Sequence, residues 1–88
     1  MRLPHVEIMS RKACCLCEEA EAVVQRSVAK GLCTVDVIDV DRQLELAARF
    51  GADVPVVLIN GAVKMKHVVD QTELEGTLLA VSKESRSC

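Results

Sequence analysis

The sequence contains few aromatic residues and carries little net charge, and both scarcities limit what the protein can be. Phe50 is the single aromatic residue in a chain of 88 residues that is 50% hydrophobic, so the core must be aliphatic. The formal net charge is −2, which gives no sign of a nucleic-acid-binding surface. No apolar run approaches the roughly 20 residues of a membrane span, so we expect no membrane partner.

The length and the two ends of the sequence predict one small domain. The first five residues lack the charged-then-apolar layout of a signal peptide, so we expect a cytoplasmic protein. A chain of this length is expected to form a single domain, which we assign to residues 1–82. The polar, aperiodic residues 83–88 are interpreted as a flexible tail. We expect the protein to be a monomer.

Five cysteines form an odd count, which argues against a structural disulfide framework in a chain without an export signal. Cys14, Cys15 and Cys17 lie within four residues, and Cys14 and Cys17 form a C-x-x-C pair. The pair follows an apolar run and opens a helical pattern, and this junction of a strand with a helix N-terminus suggests redox chemistry. Zinc sites use the same spacing, so the pair alone does not decide between the two.

Apolar periodicity and turn residues predict the order βαβαββα. The predicted strands cover residues 6–9, 33–40, 54–59 and 62–68, and the predicted helices cover residues 15–30, 42–50 and a segment that follows a capping box at 70–73. The first two strands are expected to be parallel, with a right-handed crossover. Asn60-Gly61 predicts a type I′ hairpin. Gly51 is assigned to the C′ position of the second helix, and Asp39 or Asp41 to its N-cap.

Two segments give the sequence a family resemblance, Ser-Arg-Lys-Ala-Cys-Cys-Leu-Cys-Glu-Glu-Ala at residues 10–20 and Phe-Gly-Ala-Asp-Val-Pro-Val-Val-Leu-Ile-Asn-Gly at residues 50–61. Together with the element order, they resemble the thioredoxin fold, in its small glutaredoxin-like branch with a C-x-L-C motif. The resemblance implies an α/β fold with a four-stranded mixed sheet of order 2-1-3-4, flanked by three helices.

The resemblance also implies a thiol–disulfide oxidoreductase, with Cys14 as the attacking thiol and Cys17 as the resolving thiol. It implies a cis peptide bond between Val54 and Pro55, and a Val54 backbone that hydrogen-bonds an extended substrate or glutathione. The expected substrate is a disulfide-bearing protein or glutathione, and the expected electron donor is a reductase or glutathione. We expect no tightly bound cofactor and no metal, with glutathione as a candidate co-substrate.

The predicted substrate-binding residues are Lys12, Val54, Pro55 and His67. His67 belongs to a run with Lys64 and Lys66 that could contact a glutathione or peptide carboxylate, or could be the solvated face of an edge strand. The sequence departs from the family at the segment 66–70, where glutaredoxins usually carry a Gly-Gly turn that helps to bind glutathione.

The reactive form of a cysteine is the thiolate, and the start of a helix stabilises it. Unpaired backbone N–H groups and the positive end of the helix dipole lie there, so we expect a lowered pKa for Cys14. Arg11 and Lys12 add positive charge nearby, whereas Glu18, Glu19 and Glu21 oppose it. Cys17 lies three residues on, close to the same helix face, and can attack a mixed disulfide.

The other cysteines have different expected places. Cys33 begins the second strand, so it should lie roughly 17 Å from the pair at the opposite end of the sheet, as a small core or surface residue. Cys15 is either a tolerated exposed residue or a third thiol that binds metal or diverts the mixed disulfide. Cys88 is interpreted as incidental. A metal or iron–sulfur protein on the same scaffold, and a non-catalytic binding module, remain as alternative functions.

Overall fold

The structure is a computed structural model that describes residues 3–86, with side chains described as far as residue 81. Its elements are β1 (His5–Ser10), α1 (Cys15–Ala29), β2 (Thr34–Asp39), the 3₁₀ helix η1 (Val40–Arg42), α2 (Leu44–Phe50), β3 (Val56–Ile59), β4 (Ala62–Lys66) and α3 (Gln71–Arg86). The predicted order βαβαββα is confirmed, with η1 as an addition. Across the described residues, none of the helices is both long enough and apolar enough to cross a membrane.

One four-stranded sheet of order β2-β1-β3-β4 forms the centre of the fold, as predicted. β1 pairs in parallel with β2 and antiparallel with β3, and β3 pairs antiparallel with β4. The carboxyl ends of β1 and β2 therefore lie at the same end of the sheet as the start of β3. We call this end the active end, because the chain leaves β1 there and enters the segment with Cys14.

Two aliphatic cores cover the two faces of the sheet, because side chains alternate along a strand. Val6 and Ile8 of β1 face the larger core, where α1 and α3 contribute four fully buried side chains, Ala20, Val24, Leu74 and Leu78. Met9 faces the smaller core, where it packs with Val40 and the single aromatic residue, Phe50 of α2. The helices are thus held on opposite faces, α1 and α3 on one and α2 on the other.

Left-handed backbone conformations end α1 and form the hairpin. Gly31 has φ +75°, and the N–H groups of Gly31 and Leu32 donate to the carbonyls of Val28 and Ser27, which is the Schellman arrangement. Asn60 and Gly61 have φ values of 50° and 86°, and the flanking residues of β3 and β4 pair directly. The predicted two-residue type I′ turn is confirmed.

The structure corrects the predicted ends of two strands. β3 begins at Val56 rather than at residue 54, because Pro55 has no N–H to donate to the sheet. β4 ends at Lys66, since His67 turns out of the strand with φ +66°. The His67 N–H still donates to the carbonyl of Pro55 at 2.8 Å, so the two segments stay together.

The ends of α2 also differ from the prediction. Gly51 has φ −56° and is right-handed, so it is the C-cap of α2 and not a left-handed C′ residue. Asp39 caps η1 instead of α2, accepting a bond from the Asp41 N–H at 2.9 Å. The Asp41 carboxylate binds Arg11 and does not cap α2. The N-cap of α2 is Gln43, whose side chain makes no capping bond.

The C-terminal helix begins at the predicted capping box. The Asp70 carboxylate accepts a bond from the Glu73 N–H at 2.9 Å. The backbone of residues 83–86 lies within α3, and residues 87 and 88 lie outside the described part of the chain. The assignment of a domain to 1–82 and a flexible tail to 83–88 stays a prediction.

Candidate redox site

Cys14 and Cys17 are joined by a disulfide bond at the active end of the sheet. Their Cα atoms are 5.2 Å apart, within the range that a disulfide spans. The spacing of three residues at the start of a helix produces this proximity. The structure therefore describes the oxidised form of a C-x-x-C pair.

The first turn of α1 places the two sulfur atoms in different surroundings. Cys14 is the N-cap of α1, and its Sγ accepts a bond from the Cys17 N–H at 3.2 Å. Cys14 is half-buried, whereas Cys17 is only 1% exposed. An incoming sulfur can thus reach Cys14 more easily than Cys17. The Cys17 N–H group and the positive end of the α1 dipole thus lie at the Cys14 sulfur.

The loop before Cys14 is tied to the opposite face of the sheet by Arg11. Its guanidinium donates two bonds to the Asp41 carboxylate, both at 3.0 Å, and a third to the Gly51 carbonyl at 3.3 Å. Ala13 then takes φ +56°, which is rare for a residue with a Cβ atom. No local pattern in the sequence points to this arrangement, because Arg11 and Asp41 are 30 residues apart.

The Val54–Pro55 peptide bond is cis, as the family resemblance implies. Val56 pairs with Met9 near the end of β1, so this bond lies at the active end of the sheet. Pro55 is buried and Val54 is half-buried. The structure thus brings Val54 and Pro55 to the same end of the sheet as the cysteine pair.

The predicted substrate-binding side chains His67 and Lys12 have different surroundings. His67 Nε2 lies 3.7 Å from an oxygen of Asp53, and Lys66 Nζ lies 3.5 Å from the other oxygen. The His67 N–H donates to the Pro55 carbonyl, so His67 lies beside the cis peptide, with the Asp53 carboxylate next to it. Lys12 is exposed in the loop before Cys14, and within residues 3–81 it takes part in no ion pair.

A groove of about 560 Å³ adjoins Cys14, and the sequence analysis did not anticipate it. α1 contributes Glu18 and Glu21 to its lining, and η1 contributes Arg42. Lys12 also lines it, whereas Val54, Pro55 and His67 do not. The groove depends on how α1, β2 and η1 meet, so the linear sequence offers no signal for it.

Cys15 and Cys33 are free thiols that take no part in the disulfide. Cys15 is exposed in the first turn of α1. Cys33 is buried in the larger core, and the pairing of His5 with Thr34 places it at the end of the sheet opposite Cys14, as predicted. Burial raises the pKa of the Cys33 thiol, and the nearby Glu75 carboxylate raises it further. Cys88 lies outside the described residues.

The described part of the chain offers no cluster of side chains that could bind a metal ion. Among those residues no three His, Cys, Asp or Glu side chains are grouped so that they could hold an ion. Cys15 as a metal-binding thiol stays a prediction without a structural observation in its favour.

A family model described as "Glutaredoxin-like domain (DUF836)" matches residues 5–79, which include every strand and the cysteine pair. The chain belongs to this glutaredoxin-like family. Its thioredoxin-like fold agrees with the resemblance found in the sequence. A search of curated proteins found no match.

Solved structures share the fold of this glutaredoxin-like chain at low sequence identity. A structural-genomics target protein from X. campestris aligns with a TM-score of 0.72 and 21% identity, over 85% of this chain and 96% of that chain. A mutant thioredoxin from Halobacterium salinarum NRC-1 aligns with a TM-score of 0.66 and 24% identity, over 90% and 74%. A structure described as that of a malarial protein aligns with a TM-score of 0.66 and 17% identity, over 90% and 96%.

Proposed function

We propose that this glutaredoxin-like protein is a thiol–disulfide oxidoreductase that cycles between a Cys14/Cys17 dithiol and the disulfide. The observation that carries the proposal is the bond between the two sulfur atoms at the start of α1, with one cysteine half-buried and the other buried. A structural disulfide does not need one accessible sulfur, whereas an exchange reaction does.

The reaction takes place in two exchanges. The Cys14 thiolate attacks one sulfur of a substrate disulfide, the substrate S–S bond breaks, and the first substrate thiolate leaves with its electron pair. The Cys17 thiolate then attacks Cys14 in the mixed disulfide, and the second substrate thiolate leaves. Two electrons pass from the protein to the substrate, each leaving thiolate takes up a proton, and the protein ends as the disulfide seen here.

The substrate side of the site is formed by Lys12, Val54, Pro55 and His67. We propose that the Val54 backbone bonds an extended substrate beside the cis peptide, since Val54 is half-buried at the active end. Lys12 supplies positive charge in the loop before Cys14. His67 is less available to a substrate carboxylate, because the Asp53 carboxylate already lies next to it.

The substrates that fit this chemistry are a disulfide-bearing protein or glutathione disulfide, with a reductase or glutathione as the electron donor. We propose a cytoplasmic monomer that carries electrons between thiol pools. It holds no tightly bound cofactor, because the two thiols supply both electrons. Glutathione would serve as a co-substrate and not as a resident group.

Substitution of each cysteine in the motif tests the proposal. We expect Cys14→Ser to abolish the reduction of a model disulfide such as 2-hydroxyethyl disulfide, because the attacking sulfur is lost. Cys17→Ser should stop at the mixed disulfide, which mass spectrometry detects. Cys15→Ser is the matched control, since it removes an exposed thiol from the same turn, and it should retain turnover. Full dithiol turnover by Cys14→Ser would refute the assignment.

The same Cys17→Ser variant identifies the physiological partner. Trapped mixed disulfides can be isolated from lysate and the attached molecule released with a reductant. Recovery of proteins supports exchange with protein disulfides, and recovery of glutathione alone supports a glutaredoxin-type cycle.

A further inference from the structure

Apart from Cys14 and Lys12, the residues that line the groove beside Cys14 have no part in the reaction proposed above. Of the predicted substrate-binding residues, Lys12 alone lines it, and the cis peptide lies elsewhere. Its volume of about 560 Å³ falls within the range of about 300–1,000 Å³ that is usual for ligand-binding clefts. Since Cys14 is part of its wall, a molecule lying in the groove would have its disulfide close to the attacking sulfur.

The length of the groove along α1 suits a short extended polypeptide. Cys14, Glu18 and Glu21 all line it, and their spacing of four and three residues places them on one face of the helix. With a rise of about 1.5 Å per residue, Cys14 and Glu21 are about 10 Å apart along the helix axis. An extended chain covers that distance in about three residues.

The groove contains unpaired charges of both signs. Glu18 and Glu21 come from α1, whereas Lys12 and Arg42 come from the preceding loop and from η1. None of the four takes part in an ion pair within residues 3–81. Two more charged side chains line the groove: Arg11, which is paired with Asp41, and Asp39, whose carboxylate accepts the Asp41 N–H and adds a further negative charge. A ligand with separated positive and negative groups would therefore find a partner for each.

The floor and the edge of the groove favour a polypeptide over a small thiol. Val37, Ile38 and Leu46 provide an apolar lining. β2, which contributes two of them, is an edge strand, so the backbone on its outer side has no strand partner in the described sheet. An extended peptide can bond to such an edge and place alternate side chains in neighbouring pockets.

We propose that this groove binds the segment of a protein substrate that flanks its reactive cysteine. A basic side chain of the segment lies against Glu18 and Glu21, and an acidic side chain lies against Lys12 and Arg42. The inference rests on the proposed function, because the segment is held for attack by the Cys14 thiolate. It adds a preference for cysteines that have opposite charges on their two sides.

Peptides of equal composition test the order of charges. Three blocked pentapeptides, Lys-Ala-Cys-Ala-Glu, Glu-Ala-Cys-Ala-Lys and Gln-Ala-Cys-Ala-Gln, are joined through cysteine to 2-thiopyridine. The reduced protein attacks the peptide sulfur, the bond to the thiopyridyl sulfur breaks, and thiopyridone leaves with the electron pair and is measured optically. The rate with Cys14→Ser is subtracted to remove reaction at the other thiols.

We expect one of the two charged peptides to react about three- to fivefold faster than both the reversed and the neutral peptide, the effect of exposed ion pairs. The two charged peptides have no net charge, so long-range attraction cannot produce the difference. High salt should reduce the preference. Equal rates for all three peptides would overturn the groove proposal while leaving the exchange reaction intact.

Matched variants assign the preference to the groove. Glu21→Gln and Arg42→Gln should each reduce it towards equal rates. Glu19→Gln removes a carboxylate from the same helix turn but outside the groove, and Arg49→Gln removes a cation from α2; both should keep the preference. Retention of the preference in Glu21→Gln and Arg42→Gln contradicts the proposed site.

Two further outcomes separate the possible failures. The thiopyridyl disulfide of glutathione is compared with the preferred peptide. If it reacts faster and depends on Glu21 and Arg42, the groove serves a small thiol and the protein-segment proposal is wrong. If none of the peptides reacts faster with wild type than with Cys14→Ser, the proposed function itself fails, and this inference fails with it.

Discussion

At the scale of single residues, the difference between Cys14 and Cys17 determines the direction of the proposed reaction. Both cysteines belong to one helical turn, yet Cys17 is 1% exposed and Cys14 is half-buried at the N-cap. The helix itself causes the difference, because Cys17, three residues after the N-cap, lies on the buried face of α1. The attacking role that we propose for Cys14 is therefore supported by its exposure as well as by its place in the motif.

The structural role of Arg11 could not be predicted from the sequence, because its partners lie 30 and 40 residues away. Its three bonds connect the loop before Cys14 to η1 and to the end of α2. The next residue but one, Ala13, is left-handed at a cost of roughly 1–2 kcal/mol. Such a conformation persists only where its surroundings hold it, and the Arg11 contacts are part of those surroundings.

A double-mutant cycle measures the tie between Arg11 and Asp41. The single changes Arg11→Gln and Asp41→Asn should each lower the free energy of unfolding, and the cycle should return a coupling of about 0.5–1 kcal/mol, since both groups are partly exposed. Urea unfolding of the oxidised proteins provides the measurement. Lys12→Gln is the control, because this neighbour makes no ion pair within residues 3–81. A coupling near zero would mean that the pair does not hold the loop.

At the scale of elements, α2 ends at Phe50 as predicted, but Gly51 follows it for a different physical reason. The sequence predicts a glycine after α2 for its left-handed freedom, but Gly51 is right-handed. A Cβ atom at this position would collide with the Ala47 carbonyl and would lie 2.8 Å from Nη2 of Arg11. The glycine is needed for close approach between the end of α2 and the active-end loop.

Two glycine substitutions with opposite expected signs test this explanation. Gly51→Ala should lower the free energy of unfolding by about 1–3 kcal/mol, because the added methyl group has no space. Gly76→Ala should raise it by about 0.5–1 kcal/mol, since a Cβ at this helical position meets nothing within 4 Å. Chemical denaturation of both variants checks the prediction. A stabilising Gly51→Ala would contradict the close approach.

At the scale of the whole molecule, Glu75 connects the two helices on the larger core. Its carboxylate accepts bonds from Lys30 Nζ at 2.9 Å, from the Gln71 side chain and from Ser27 Oγ at 3.3 Å. The hydrogen bond from Lys30, followed by the one from Gln71, lowers the pKa of Glu75. α1, which begins with the cysteine pair, is thereby tied near its C-terminal end to α3.

The lowered pKa of Glu75 predicts a pH dependence of stability. A carboxyl group whose pKa is lower in the folded state contributes stability above its unfolded pKa, near 4.5, and loses it as the pH falls through the folded value. Glu75→Gln should therefore flatten the fall in stability on the acid side. Thermal unfolding between neutral pH and pH ~3 measures this.

Glu45→Gln is the control, since this exposed carboxylate makes no side-chain hydrogen bond within the described residues. An acid limb of the same slope in Glu75→Gln and in the wild type would show that Glu75 does not link folding to protonation.

The sequence by itself was sufficient for the element order, the parallel pairing of the first two strands, the hairpin at residues 60–61 and the candidate cysteine pair. These features depend on local periodicity, on residues that tolerate positive φ, and on spacing within one helical turn, all of which a linear pattern records. The sheet order and the cis peptide before Pro55 were reached through family resemblance.

The tertiary structure alone decided which sulfur is accessible, how Arg11 secures the active-end loop, why residue 51 must be glycine, and where a charged groove adjoins Cys14. Each depends on groups that meet across the sheet from distant positions, such as Arg11 and Asp41. Contacts of that kind follow from how helices pack on the two faces of the sheet, and packing leaves no local signature in the sequence.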